Sequence, residues 1–186
     1  MTQPQMPKLT RNVIAIAAFL ALGAVALGGA RGLQFLYAMP TADEYLAYKR
    51  TGVTVVPAGK LNFENQSFAC ELFPAVLNAN LDDYGAAYFG FILINPTRFE
   101  TLPLPIKRYA YAHECGHQYV GYNEGEADCY AIRRGKREGW LTPAVLGEIC
   151  AFISKGKGDD VHALGSRRCE MMRRCYARAR PGREPL

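Results

Sequence analysis

The chain has 186 residues, a net charge of +5 and 49% hydrophobic residues, enough for one domain with a real core. It carries no internal repeat, no glycine-rich phosphate loop and no Gly-x-Ser-x-Gly elbow, which sets aside solenoid, P-loop and serine-hydrolase readings. Its six cysteines, Cys70, Cys115, Cys129, Cys150, Cys169 and Cys175, are an even set of the kind that pairs in an exported protein.

In chain order, Lys8 and Arg11 precede residues 13–30, a stretch without charge. Residues 1–30 therefore read as an export segment, either a signal peptide cut after Ala30 or a retained N-terminal anchor with its basic end inside. The reading places residues 31–180 in the periplasm or outside the cell. It gives residues 13–30 any membrane association and leaves residues 181–186 as a flexible tail.

Thr41-Ala42-Asp43-Glu44 is a capping box that predicts a short helix ending near Gly52. Val53–Val56 is a β-branched strand and residues 57–60 a turn. Residues 61–80 read as a strand at 68–73 and a helical turn at 74–79. Residues 87–94 form the most apolar strand pattern, read either as a sheet edge that adds an extended peptide or as a core strand. Pro105 then starts a helix over 106–120.

That helix carries His113-Glu114-Cys115-Gly116-His117. Positions i and i+4 share a helix face, so both imidazoles can reach one metal ion, with Glu114 beside them to take a proton from a water on it. A straight continuation would put Glu124 about 10.5 Å past His117, too far to share the ion. Gly121-Tyr122-Asn123 supplies the needed break: Gly121 permits a left-handed cap and Asn123 caps a second helix. Glu124 then folds back as the third ligand, and Asp128, on the same face, can hydrogen-bond a ligand histidine. Glu126 fits the capping box instead, and Cys115, with Ala112 and Tyr119, faces away from the metal.

The second helix spans 124–134 with Gly135 as its stop, a third runs from Thr142-Pro143 to 154, and a last one covers 163–179. The leading cystine expectation is Cys115–Cys129, because both helices must pack around the metal. Cys150 with Cys169 or Cys175 would join the last two helices. A four-cysteine zinc knot lacks any Cys-x-x-Cys pair. Basic residues gather late, from Arg133 to Arg183. An exported chain does not meet nucleic acid, so no nucleic-acid partner is expected, and an anionic membrane or envelope polymer is the surface such charge would attract.

His-Glu-x-x-His followed by Glu124-Gly125-Glu126-Ala127-Asp128 resembles the gluzincin metallopeptidases, and most closely the membrane-associated CAAX-processing and heat-shock-induced kind. His162 and Arg168 keep the spacing of that group's later His-Pro-x-x-x-x-Arg segment, without its proline. The resemblance implies an α+β, zincin-like fold, a small sheet packed on the active-site helix with further C-terminal helices. It also implies one zinc ion on His113, His117 and Glu124. The expected function is an exported zinc metalloendopeptidase acting on peptide or protein substrates, with Glu114 as general base. His162 and Arg168 are candidates to steady the oxyanion, ahead of Tyr109, Tyr111 and Tyr122. The alternative is an exported binding or structural module that keeps the scaffold without catalysis, or a basic envelope-binding domain without metal.

Overall fold

The computed structural model describes residues 40–49 and 51–180. The export segment and the tail at 181–186 lie outside the described residues. Thr41 and Glu44 form the reciprocal capping box: Glu44 N–H donates to Thr41 Oγ1 at 3.2 Å, and Thr41 N–H to Glu44 Oε2 at 2.8 Å. They open α1 (Ala42–Lys49), which is followed by β1 (Val53–Val56).

The ambiguous stretch 61–80 holds three strands. β2 (Leu61–Phe63) and β3 (Gln66–Phe68) make a hairpin whose two-residue turn, Glu64 and Asn65, has φ of 53° and 60°, as such tight turns demand. β4 (Ala75–Asn78), expected as a helical turn, is a strand. It sits inside the main sheet, and partners on both sides satisfy its backbone, a long-range pairing that outweighs local propensity.

The expected strand 87–94 is two strands. β5 (Gly85–Tyr88) and β6 (Phe91–Ile94) pair antiparallel around Phe89-Gly90, where Gly90 takes φ of 97°, a conformation glycine adopts without penalty. The main sheet has the order β1-β4-β6-β5, with β4 and β6 parallel and the other pairs antiparallel. β6 is buried along its whole length and β5 is the edge. The expected strand thus divides into an edge half, β5, and a core half, β6.

Buried Asn95 caps α2 (Pro96–Glu100) through Arg98 N–H at 3.1 Å, while its amide holds the Leu81 carbonyl at 2.8 Å. The histidine-bearing helix α3 (Leu104–Val120) follows, then α4 (Glu124–Arg137), α5 (Pro143–Ile153) and α6 (Gly165–Arg178). Gly135 does not end α4. It lies inside the helix because a Cβ there would come within 2.7 Å of the Trp140 ring, which uses that space. Thr142 caps α5 as expected, accepting Val145 N–H at 3.3 Å.

The result is α+β, a small mixed sheet and several helices. Gln118 on α3 pins the β5–β6 turn to the helix. Its oxygen accepts Gly90 N–H at 2.8 Å and its amide donates to the Tyr88 and Phe91 carbonyls at 2.8 and 3.2 Å.

All six cysteines pair, as Cys70–Cys115, Cys129–Cys175 and Cys150–Cys169. The last pair agrees with expectation, and Cys115–Cys129 does not form. Neighbouring helix positions point about 100° apart. Cys129 therefore need not point at α3 merely because Asp128 beside it does: its sulfur meets Cys175 on α6, while Cys115 meets the buried Cys70. Three buried disulfides are consistent with an exported protein. Among the described residues no helix is long and apolar enough to cross a membrane.

Of the late basic residues, several have structural partners rather than open solvent. Arg134 donates to Glu138 at 2.7 Å and to the Ala69 carbonyl at 2.7 Å, and Lys136 caps the Tyr176 and Ala179 carbonyls at 2.8 and 2.7 Å.

α3 and α4 approach most closely at Gly116, where a Cβ would lie 3.1 Å from Ala127 Cα and 3.2 Å from its carbonyl oxygen. A Gly116→Val change therefore forces the helices apart and is expected to cost about 1–3 kcal/mol. Gly147, an exposed position of α5 with nothing near its would-be Cβ, provides the contrast. Gly147→Ala should gain about 0.4–1 kcal/mol. Thermal melts of both variants check the pair, and equal shifts would refute the packing argument.

Candidate metal centre

One turn of α3 puts the His113 and His117 rings 4.8 Å apart, with their Nε2 atoms 3.2 Å from each other. The other nitrogen of each ring is committed. His117 Nδ1 lies 2.6 Å from the Gly121 carbonyl oxygen, which can only accept, so Nδ1 carries the proton. His113 Nδ1 lies 2.9 Å from Asp128 Oδ1 and donates to that carboxylate. Both Nε2 lone pairs are thereby turned toward one point.

Glu124 arrives at that point from α4. Gly121 ends α3 with φ of 63° and ψ of −144°, outside the expected left-handed helical cap and in a region open essentially to glycine. Asn123 then caps α4, its side chain accepting Glu126 N–H at 3.1 Å. Glu126 itself faces Arg133 at 3.7 Å, away from the centre. Glu124 Oε2 is 3.0 Å from His113 Nε2, and Oε1 is 3.4 Å from His117 Nε2. The ligand atoms of His113, His117 and Glu124 all lie within 4.8 Å of one another.

Glu124 Oε2 is buried without a hydrogen bond, although His113 Nε2 and His162 Nε2 stand 3.0 and 3.1 Å away. A buried orphan oxygen beside two convergent lone pairs is what a cation site requires.

Electrostatics agree. Burial disfavours a charged His113, but Asp128 and Glu124 overcome that and hold its pKa up at about 9. Burial would raise the Glu124 carboxyl, yet three surrounding imidazoles hold it far below the usual carboxylate range. The metal-free centre thus draws positive charge inward.

Asp128 is fully buried and anchors the back of the site. Its Oδ1 accepts from His113, from the Tyr109 hydroxyl and from Arg168 Nη2 at 2.8 Å, and its Oδ2 from Arg168 Nε at 2.9 Å. Burial pushes its pKa up, and the bonds from Arg168 and His113 more than reverse this, to about 2. Arg168 thus grips Asp128 in a bidentate pair while also lining the cleft. Tyr109 lines the cleft too, its hydroxyl donating to Asp128 and accepting from Arg168 Nη2 at 3.0 Å. The clue was available, because Tyr109 stands four residues before His113 on the same helix face. Tyr111 packs on Phe68 on the opposite side.

His162 does reach the centre. It sits in the loop before α6, where Asp159 Oδ1 accepts its backbone N–H at 2.6 Å and Gly158 takes φ of 75°. Glu114 faces a cleft of about 510 Å³ that His113, His117, Glu124, Tyr122 and His162 also line. Crowding by buried surroundings raises the Glu114 pKa. β5 passes directly over it, a Cβ at Gly85 coming to 3.0 Å from Glu114 Cγ.

No protein-family model, no curated protein and no solved structure matches the chain.

The pH dependence of metal capture follows from His113. Its pKa is raised from 6.5 to about 9, so the stability it lends the metal-free fold is complete below 6.5 and lost as pH rises through about 9. A metal ion must displace that proton, so apparent affinity climbs across the same interval. Competition titrations against a chromophoric chelator, from about pH 6 to about 9, should show this rise; a flat profile would refute the assignment of His113.

Proposed function

We propose that the chain is an exported zinc-dependent peptidase of zincin-like architecture. The observation that carries this is the spacing of the donor atoms. Bonds of about 2.0–2.1 Å at a tetrahedral angle separate donors by roughly 3.3 Å, and the three contacts among His113, His117 and Glu124 measure 3.2, 3.0 and 3.4 Å. Two imidazoles and one carboxylate, with each imidazole's other nitrogen already bonded, suit zinc and leave a fourth position open.

When bound, the ion supplies Lewis acidity to water and to a carbonyl in the cleft. Glu114 is the general base: it takes the proton of the attacking water and delivers it to the leaving amine. Its raised pKa brings it nearer the range where both transfers are favourable. His162, at the rim beside Glu124, is placed to donate to a developing oxyanion. Asp128, Tyr109 and Arg168 hold His113 from behind.

The substrate reading rests on the cleft walls. Among the described residues β5 is a sheet edge that lines the cleft through Gly85, Ala86 and Ala87, so an extended peptide can add to it as a strand. Toward the start of α3 the cleft is lined by Tyr84, Leu102, Ile106, Ala110, Phe152 and Ile153, which favours an apolar side chain near the scissile bond. Residues 13–30 would hold the enzyme near the membrane if they are retained.

Two substitutions test the reading. Glu114→Gln should keep zinc and lower peptide hydrolysis by about 10²–10⁴-fold, whereas Glu124→Ala should lose the metal. Zinc content by atomic absorption, read beside cleavage of a mixed peptide library by mass spectrometry, separates them. A zinc-loaded wild type that cleaves no peptide would leave the non-catalytic module in place of the peptidase.

A further inference from the structure

Each of the three cystines has one cysteine directly after a residue of the centre. Cys115 follows Glu114, Cys129 follows Asp128, and Cys169 follows Arg168. Two of them hold the same helix: Cys129–Cys175 ties α6 to α4, and Cys150–Cys169 ties α6 to α5. α6 in turn carries Arg168, which neutralises the buried Asp128.

Beyond the cystines, α6 is held by Arg168 on Asp128 and by Lys136 of α4, which donates to the Tyr176 and Ala179 carbonyls. Of its fourteen residues only Gly165, Cys169 and Met172 are buried, so the apolar area that docks it is small and includes one of the cystines themselves. Five of its residues are arginine against one glutamate. A helix docked by so thin an apolar seam depends on its covalent links to keep its place. If α6 leaves, Asp128 is a buried carboxylate without its guanidinium, and the acceptor that fixes the His113 tautomer is no longer held.

We propose that oxidation of these cystines is the step that makes the centre competent for metal, through Arg168 as a positioning residue. This rests on the reading of His113, His117 and Glu124 as a metal centre. In the reduced chain the centre is latent; in an oxidising compartment it assembles. Each cystine forms when two thiols lose two protons and two electrons to a disulfide oxidant, which leaves as a dithiol. Cys70 and Cys115 are inaccessible, and Cys129, Cys150 and Cys169 are each less than a tenth exposed. Only Cys175 is partly exposed, so a reductant has little access to Cys70–Cys115 and Cys150–Cys169 in the folded protein, and for these the device acts at assembly rather than as a reversible switch.

The test uses cobalt(II), whose visible absorption reports tetrahedral coordination, on the oxidised full chain with thermal unfolding read in parallel. Four proteins are compared: wild type, Cys129→Ala/Cys175→Ala, Cys150→Ala/Cys169→Ala, and Arg168→Gln with all cystines intact. Alanine removes the thiols, which would otherwise offer ligands of their own. The expectation is that both cystine variants bind cobalt about 10–100-fold more weakly and that Arg168→Gln shows a loss of the same size. Arg168→Lys should recover only part of it, because an ammonium cannot make the bidentate pair. A cystine variant that unfolds cooperatively and binds cobalt like wild type overturns the inference, and so does an Arg168→Gln protein with unchanged affinity. Where a cystine variant does not fold, the Arg168→Gln result decides alone. A wild type that takes up no cobalt overturns this inference together with the metal centre, whereas loss confined to the variants supports both.

Discussion

The carboxylate of Asp128 is the point on which three helices depend. It is fully buried, and its two oxygens accept from His113 and Tyr109 on α3 and from Arg168 on α6, while its own backbone belongs to α4. A buried ion pair is poor evidence for net stability, since desolvation offsets most of the attraction, but losing one partner is costly. The pair is therefore better understood as fixing an arrangement than as strengthening the fold. The arrangement fixed is the orientation of one imidazole, that of His113, whose Nε2 must face Glu124 and His117.

The same economy is visible in how little apolar material α6 commits. α4 packs on α3 through Gly116 and Ala127, a contact so close that backbone nearly meets backbone. α6 buries three residues. Hydrophobic burial is concentrated instead where α3 meets β6, the β2–β3 hairpin and α5, with Phe63, Phe68 and Phe99 in mutual ring contact. Covalent links stand where apolar area is short, and they stand beside the residues whose positions matter most. Gln118 does for the sheet edge what the cystines do for α6, holding the turn of β5 and β6 by three hydrogen bonds to one side chain.

What could be read from sequence was what is local. The i, i+4 histidines, the break at Gly121, the Asn123 and Thr142 caps and the Thr41–Glu44 box each involve residues within a few positions, where helix geometry alone dictates the outcome. Glu124 was reachable because only a fold-back could bring it to His117. What could not be read depends on distant partners. β4 looks helical until β1 and β6 flank it, and the cystine pattern depends on which way Cys115 and Cys129 point, not on which helices touch. Arg168 and Tyr109 were seen as groups for the reacting centre. Their bonds run to Asp128, a detail of a few ångströms that spacing does not encode. Gly90 was the one legible signal passed over: a glycine inside an apolar run marks a turn or bulge, and here it divides one expected strand into a hairpin.

The short interval between His117 and Glu124 has a physical explanation in Gly121. The turn must reverse the chain within a few residues, and a positive φ there does so. The same geometry leaves the Gly121 carbonyl oxygen 2.6 Å from His117 Nδ1, so the group that lets the helix end also sets the tautomer of the second histidine. A side chain at this position would meet no neighbour, and the restriction to glycine is therefore conformational rather than steric. His113 is oriented by a carboxylate brought from α4 and clamped from α6. His117 is oriented by its own helix terminus. The two histidines of one turn thus depend on different parts of the fold, and the candidate metal centre takes shape only where tertiary assembly has placed the first to match what local structure has already done for the second.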